Sequence, residues 1–191
     1  MDERRSGAGA LVPLQALRDK WQAAGTDRII PAFDPDGPGT AARLLVLLER
    51  PAPGTVAAGS DGVSSEDNDT ASSVMFRSAR VASGLGRGDY LRWNVIPWSG
   101  PAPTRVSAAD LDEARSALHD LLCALPELGA IVALGTTALD GLMRYYTLHD
   151  DPRILPVLGA PHPSPANGRH RHEQHARIAN ALRRATVVAQ R

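Results

Sequence analysis

Polar side chains that can do chemistry occur at three points of the sequence. Glu49 follows the apolar run Leu-Leu-Val-Leu-Leu, Asn94 lies in Trp-Asn-Val-Ile-Pro-Trp, and His162 lies between two prolines. A carboxylate can deprotonate water or stabilise a developing positive charge, and an imidazole can donate a hydrogen bond to a leaving group. An amide offers a donor beside an acceptor. These side chains can therefore support both bond cleavage and hydrogen-bonded recognition of a polar substrate.

The same residues also have purely structural interpretations. Glu49 can pair with Arg50 at the end of a strand. Asn94 can bond a neighbouring loop, because an unsatisfied amide in an apolar strand is costly. His162 is held by its prolines on a loop, where functional residues concentrate, and this favours a functional role.

The hydrophobic pattern predicts the elements that must position these residues. Apolar runs of strand length without alternation indicate strands covered on both faces, as in a parallel sheet. The predicted strands span residues 43–49, 90–96, 130–135 and 154–159, and the predicted helices span 13–24, 71–83, 108–124, 136–146 and 172–188. Such alternation predicts an α/β fold: a three-layer α/β/α sandwich with a central, mostly parallel four-stranded sheet. Its site should lie beyond the carboxyl ends of the strands.

Local signals refine this prediction at the helix ends and in one long connection. Thr70 or Asp69 is expected to cap the helix after residue 70, and Thr136 or Thr137 the helix after the third strand. The segment 49–70 is rich in Pro, Gly, Ser and Asp and is long for a connector, so we expect it to be a functional loop.

Composition restricts the class of protein. The chain has 191 residues, which is typical of one domain, and we expect residues 1–191 to form one, with residues 1–30 as an N-terminal arm and helix. Basic and acidic residues balance at 21 each, so nucleic-acid binding would need a local patch. Cys123 is the single cysteine, which excludes a disulfide framework and a four-cysteine cluster. Without an apolar signal or membrane segment, a cytoplasmic protein is expected.

Taken in order, the segments Leu-Leu-Glu-Arg-Pro-Ala-Pro-Gly (47–54), Trp-Asn-Val-Ile-Pro-Trp (93–98) and Ala-Pro-His-Pro-Ser-Pro-Ala-Asn-Gly-Arg (160–169) resemble the uracil-DNA glycosylase superfamily. The resemblance covers roughly residues 31–185. The first two segments match motifs of the iron–sulfur branch, but the cluster cysteines are missing, so the resemblance is to a branch that lacks them. It implies an α/β/α sandwich, no cofactor and no metal.

The resemblance also implies roles for individual residues. Glu49 matches the motif glutamate that handles water or the sugar, Asn94 matches the asparagine that reads the base, and His162 matches the histidine that stabilises the leaving base. Arg50 and Pro51 of the first motif are expected to contact the substrate. The aromatic residue that stacks on uracil in the family has no evident match here. The loop expected to enter DNA contains Ser164, Pro165, Asn167 and Arg169.

The implied activity is that of a monomeric DNA glycosylase in base excision repair. It would flip a damaged base, most simply uracil, out of single- or double-stranded DNA and hydrolyse its N-glycosidic bond. A C-terminal group of basic residues offers a local patch for phosphates. These residues are Arg169, His170, Arg171, His172, His175, Arg177, Arg183 and Arg184.

Three other functions remain open from the sequence. The protein can be a DNA or damaged-base recognition module that does not cleave, or a glycosylase for another base, such as hypoxanthine or a modified pyrimidine. A metal-dependent hydrolase is the third, because His170, His172 and His175, together with His162, make a histidine-rich stretch. Their spacing matches no strong zinc motif.

Overall fold

The computed structural model of the protein describes residues 3–25, 28–99, 105–164 and 170–190. Helices and strands alternate along most of this length. In chain order the elements are α1 (Glu3–Ala23), β1 (Ala32–Phe33), β2 (Leu44–Leu48), α2 (Pro53–Ala57), β3 (Val63–Ser64), α3 (Ala71–Ser83), β4 (Tyr90–Asn94), α4 (Ala108–Cys123), β5 (Ala130–Leu134), α5 (Thr136–Leu148), β6 (Val157–Ala160) and α6 (Arg171–Ala189).

The central sheet of the described chain has four strands in the order β4-β2-β5-β6, and every neighbouring pair is parallel. β2 is a central strand: the chain moves from it to β4 on one side and later to β5 on the other. This change of direction opens a crevice at the carboxyl ends of the strands, where ligands of such sheets bind. β1 and β3 form a separate two-stranded parallel pair.

Both faces of the sheet are covered by helices, which explains why its strands lack a polar alternation. On one face, Leu45, Leu47 and Trp93 pack with residues of α1, α4 and α5. On the other, Leu44 and Val46 pack with residues of α3 and α6. The predicted three-layer α/β/α sandwich with a four-stranded sheet is therefore confirmed.

Helix caps follow the local chemistry of the sequence in two places and depart from it in a third. The Thr70 side chain accepts a hydrogen bond from the backbone N–H of Ser73, and Ser107 forms a reciprocal capping box with Asp110. The prediction of a threonine cap on α5 is wrong. Gly135 occupies that position, and the helix begins with the threonines.

Other departures occur where local sequence carries little signal. α1 starts ten residues before the predicted helix and continues through Pro13, and β6 begins only after Pro156. The predicted loop 49–70 contains α2 and β3, which are too short to produce a readable periodicity. In the described ranges, no helix is both long and apolar enough to cross a membrane.

A buried carboxylate holds the segment between β2 and α3 in place. Glu66 is 1% exposed and accepts hydrogen bonds from Arg80 Nε at 2.8 Å and the Tyr90 hydroxyl at 2.7 Å, while Arg87 Nη1 lies 3.4 Å away. Burial by itself would raise the pKa of Glu66. The hydrogen bonds and the arginine charges outweigh burial, so the pKa of Glu66 lies below its ordinary value. The network ties this segment to both α3 and β4.

We expect Glu66→Gln to lower the free energy of unfolding by about 3 kcal/mol, because it leaves the half-buried Arg80 without its carboxylate partner. The effect should depend on pH. A carboxylate with a lowered folded pKa stabilises above its unfolded pKa, here 4.5, and loses this contribution as the pH falls further. Urea unfolding at a series of pH values would therefore show a steeper loss below about pH 4.5 in the unsubstituted protein than in Glu66→Gln.

The matched control is Glu173→Gln, because Glu173 is exposed on α6. Equal stabilities of the Glu66→Gln and Glu173→Gln proteins at pH 7 would contradict a stabilising role for the Glu66 network.

Candidate functional site

A cavity of about 670 Å³ opens at the carboxyl end of the sheet. Its lining includes Glu49, Arg50 and Pro51 from the end of β2, Asn94 from the end of β4, and His162 from the loop after β6. The structure thus brings five of the sequence-predicted site residues to one cavity. Its volume is in the range of sites that bind small molecules or single nucleobases.

The parallel pairing of β2 and β4 sets Glu49 beside Asn94. Leu48 lies opposite Asn94 in the ladder, and the pairing continues beyond both strands. The backbone N–H of Val95 donates to the carbonyl of Leu48 at 2.8 Å, and that of Ile96 donates to the carbonyl of Glu49 at 3.0 Å. Two residues distant in sequence are held together by main-chain hydrogen bonds, which do not depend on their side chains.

Asn94 presents a free amide to the cavity. The residue is only 6% exposed, and its side chain makes no hydrogen bond to any residue that the structure describes. Neither its nitrogen nor its oxygen is fully buried, so the amide is open to the cavity. The neighbouring-loop interpretation of Asn94 therefore does not fit these contacts, whereas a ligand in the cavity would complete them.

His162 is fixed through its backbone to α6. The Nε2 of the buried Gln174 donates to the carbonyl oxygen of His162 and to that of Ser164, the latter at 3.1 Å. Burial lowers the pKa of the His162 imidazole; the nearby Glu49 charge acts in the opposite direction, and the Arg92 charge acts with burial. The ring is accordingly neutral at neutral pH and can donate one hydrogen bond without carrying charge.

Gly135 provides the space that His162 occupies. It links β5 to α5 with a φ of 98°, a conformation that side-chain-bearing residues rarely adopt. A Cβ built on Gly135 would lie 2.9 Å from the Cβ of His162. Both backbone conformation and close approach thus require glycine here.

Glu49 and Arg50 are close enough to interact but are not tightly bonded. Arg50 Nε lies 3.7 Å from the Glu49 carboxylate, whose side chain is 40% exposed. That nitrogen is buried and has no hydrogen-bond partner. The structural interpretation of Glu49 as an ion-pair partner is therefore correct in part, while its carboxylate remains accessible from the cavity.

Sequence reasoning missed two polar residues of the cavity wall. Arg92 lies two positions before Asn94, so strand alternation puts both on one face, a signal that was present in the sequence. Asn68 also lines the cavity, and its side chain donates to the Val63 carbonyl at 2.8 Å and the Thr55 hydroxyl at 3.2 Å. Nothing in the sequence predicted the position of Asn68 in the cavity wall.

The cavity lining contains no phenylalanine, tyrosine or tryptophan from the described ranges. Trp93 is fully buried in the core and stacks on Phe33, with ring centroids 3.7 Å apart. Trp98 is half-buried beneath the guanidinium of Arg28. Both tryptophans thus pack against other side chains, and neither replaces the missing stacking ring.

The expected DNA-contacting residues are only partly described. Ser164 lies two residues beyond His162 and its backbone N–H donates to the His162 carbonyl at 2.7 Å. Pro165, Asn167 and Arg169 lie outside the described residues. On α6, Arg183 donates to the Ala82 carbonyl at 3.0 Å.

The histidine-rich stretch does not form a metal-binding group within the described ranges, where no three His, Cys, Asp or Glu side chains converge. His175 contacts the Ser78 hydroxyl at 3.0 Å, and His170 lies 3.7 Å from Glu173. The described part of this stretch thus provides no observation in favour of the metal-dependent hydrolase.

We expect Gly135→Ala to lower the free energy of unfolding by about 1–3 kcal/mol, because alanine is strained at this φ, and to displace His162. Gly159→Ala is the control, since a Cβ there meets only Leu139 at an ordinary 3.5 Å. Chemical denaturation measures the first effect, and the pH titration of the His162 ring by NMR measures the second. An unchanged His162 titration in Gly135→Ala would contradict the packing argument.

The chain was compared with known proteins. A family model described as the uracil DNA glycosylase superfamily matches residues 46–185. No curated protein matches the chain significantly. The matched stretch begins within β2, contains β3, β4, β5 and β6, and includes Glu49, Asn94 and His162 of the cavity wall. Since it covers most of the chain, the protein belongs to the uracil-DNA glycosylase superfamily.

Proposed function

We propose that the protein is a DNA glycosylase that removes uracil from DNA by hydrolysing the N-glycosidic bond. One observation carries this proposal: the carboxylate of Glu49, the amide of Asn94 and the imidazole of His162 line the same cavity. Breaking this bond leaves positive charge on the sugar and negative charge on the base. A suitable site offers an anion near the sugar and hydrogen-bond donors near the base.

In this proposal Asn94 recognises the base. Its amide can donate to a carbonyl oxygen and accept from the adjacent ring N–H, which is the pattern of uracil. The lack of other side-chain hydrogen bonds among the described residues leaves both groups available for this purpose. A mismatched base would leave the buried amide unsatisfied, so recognition of this kind discriminates strongly.

Glu49 and His162 would share the electrostatic part of the reaction. Glu49 orients or deprotonates the attacking water and stabilises the cationic sugar, and its exposed carboxylate supports this role. His162 donates a hydrogen bond to the oxygen of the departing base, and its lowered pKa supports a neutral donor. Arg50 and Pro51 form the adjoining wall against the substrate.

The substrate must reach the cavity as an extrahelical nucleotide, because a stacked and paired base is inaccessible to it. We infer that the loop of Ser164, Pro165, Asn167 and Arg169 enters the distorted DNA, next to His162 in the chain. The expected partner is uracil-containing DNA, either single- or double-stranded. One chain supplies all three reactive groups, so a monomer suffices for the reaction.

A second candidate function is recognition of a damaged base without cleavage. One observation favours it: no phenylalanine, tyrosine or tryptophan from the described ranges lines the cavity to stack on a base. Stacking fixes the plane of a flipped base, and a base held less firmly is less well aligned for water attack.

Single-turnover excision from end-labelled oligonucleotides with one uracil, hypoxanthine or xanthine tests the proposal, with alkaline cleavage of the abasic product. We expect cleavage at uracil. His162→Ala should slow it by about 10²- to 10³-fold, the effect of losing one donor to developing charge. Glu49→Gln should slow it by about 10²- to 10⁴-fold, the range for a positioned base.

The controls are His149→Ala and Glu127→Gln, because both residues lie near the amino ends of the strands, away from the cavity. His149 follows α5, and Glu127 precedes β5. Full excision by both His162→Ala and Asn94→Ala would show that this cavity is not the site. Salt-sensitive binding of the uracil oligonucleotide without cleavage would favour the recognition module instead.

A further inference from the structure

Arg92 is a half-buried cation that forms no ion pair with a described residue. Its Nη1 donates to the Ser65 carbonyl at 2.7 Å, and its Nη2 lies 3.5 Å from the Ser73 hydroxyl. Its Nε is buried and has no hydrogen-bond partner. No carboxylate oxygen of the described residues lies within 4 Å of the guanidinium. The side chain nevertheless lines the cavity.

The neighbouring arginines are arranged differently. Arg80 and Arg87 both contact Glu66, and Arg87 also lies 2.7 Å from a carboxylate oxygen of Asp34. Removing an unpaired charge from water is costly, and burial lowers the pKa of Arg92. Nη1 and Nη2 each carry a second N–H beyond those directed at Ser65 and Ser73, and an acceptor in the cavity would add a hydrogen bond to this cation.

The position of Arg92 in β4 determines which part of an occupant it meets. Side chains two residues apart lie on the same face of a strand, so Arg92 lies beside Asn94 and farther from the carboxyl edge. A base that enters from this edge keeps its sugar near Glu49 and His162. Its atoms farthest from the sugar then face Asn94 and Arg92.

We propose that Arg92 is a specificity-determining residue that donates a hydrogen bond to the carbonyl oxygen of the flipped base that lies farthest from the sugar. This proposal rests on the proposed function, since it places a base in the cavity. In uracil the oxygen is O4, whose two lone pairs can accept from Asn94 and Arg92 together.

The chemistry of a guanidinium defines the class of base that this residue selects. Arginine has five N–H donors and no acceptor. Cytosine and adenine carry an amino group at the corresponding position. Its N–H would face an N–H of Arg92, so no hydrogen bond could form between the two donors. Deamination of these two bases converts the amino group to a carbonyl acceptor, which gives uracil and hypoxanthine. Arg92 therefore reads the chemical change that deamination of cytosine or adenine makes.

The test measures binding instead of cleavage, so that it does not depend on catalysis. Oligonucleotides carry 2′-fluorinated nucleotides, because fluorine disfavours the cationic sugar and leaves the base attached. One contains uracil, and the other contains 4-thiouracil, which keeps N3–H for Asn94 but replaces O4 by sulfur, a weak acceptor. The measured quantity is the ratio of the two dissociation constants.

We expect Arg92→Met to reduce the preference for uracil over 4-thiouracil by about tenfold, the effect of one hydrogen bond to a charged group. Arg92→Lys should retain most of it, because lysine keeps a charged donor. The control is Arg77→Met on α3, which removes a partly exposed arginine paired with Asp67 and should leave the ratio unchanged.

A purely structural role for Arg92, through Ser65 and Ser73, predicts a different result: lower thermal stability in Arg92→Met with an unchanged ratio. That result would overturn the proposal. If Arg92→Met does not fold, the Nε–H resonance of Arg92 in the unsubstituted protein gives the answer. It should shift with the uracil oligonucleotide more than with the 4-thiouracil one, and equal shifts would overturn the proposal.

The proposed function and this inference fail in distinguishable ways. A protein that binds uracil through Arg92 but never cleaves unfluorinated DNA would contradict the glycosylase and support the specificity residue. A protein that cleaves at uracil, but whose Arg92→Met variant keeps the full preference for uracil over 4-thiouracil, would support the glycosylase and contradict the specificity residue.

Discussion

The parallel pairing of β2 with β4 on one side and β5 on the other is the constraint on which the site depends. It uses backbone hydrogen bonds that are satisfied whatever the side chains are, and it is stabilised by helices packed on both faces. Because all strands of this sheet are parallel, their carboxyl ends lie at one edge. Glu49 and Asn94 are then neighbours, and His162 reaches them only because β6 ends at the same edge.

Much of this arrangement can be predicted from the sequence, because burial on both faces gives each long strand an uninterrupted apolar run. The sheet, the helices α3 and α4 and the residues that follow the strands were predictable for this reason. β1 and β3 were not, since two residues carry no periodicity. The end of α6 shows a similar limit, because Val187 is exposed while Ala185 and Val188 of the same helix pack on the core.

The cavity wall was less predictable than its reactive residues. Glu49 and His162 stand in motifs, but Asn68 reaches the cavity only through the fold of the segment between β2 and α3. That segment is ordered by long-range contacts to Glu66 from Arg80, Arg87 and Tyr90. No local pattern in the sequence encodes such a network, because each partner also has an ordinary surface interpretation.

One face of β4 shows how stability and function share a single element. Tyr90, Arg92 and Asn94 alternate on that face and progress toward the carboxyl edge. Tyr90 donates to Glu66, Arg92 has only partial hydrogen bonding, and Asn94 has no side-chain hydrogen bond to any described residue. On this face, side-chain hydrogen bonding to the protein thus decreases from the core toward the cavity. Groups that the protein does not engage are the ones available to bind a ligand. The loss of side-chain hydrogen bonds along β4 therefore marks the end of the strand at which we propose that the base is recognised.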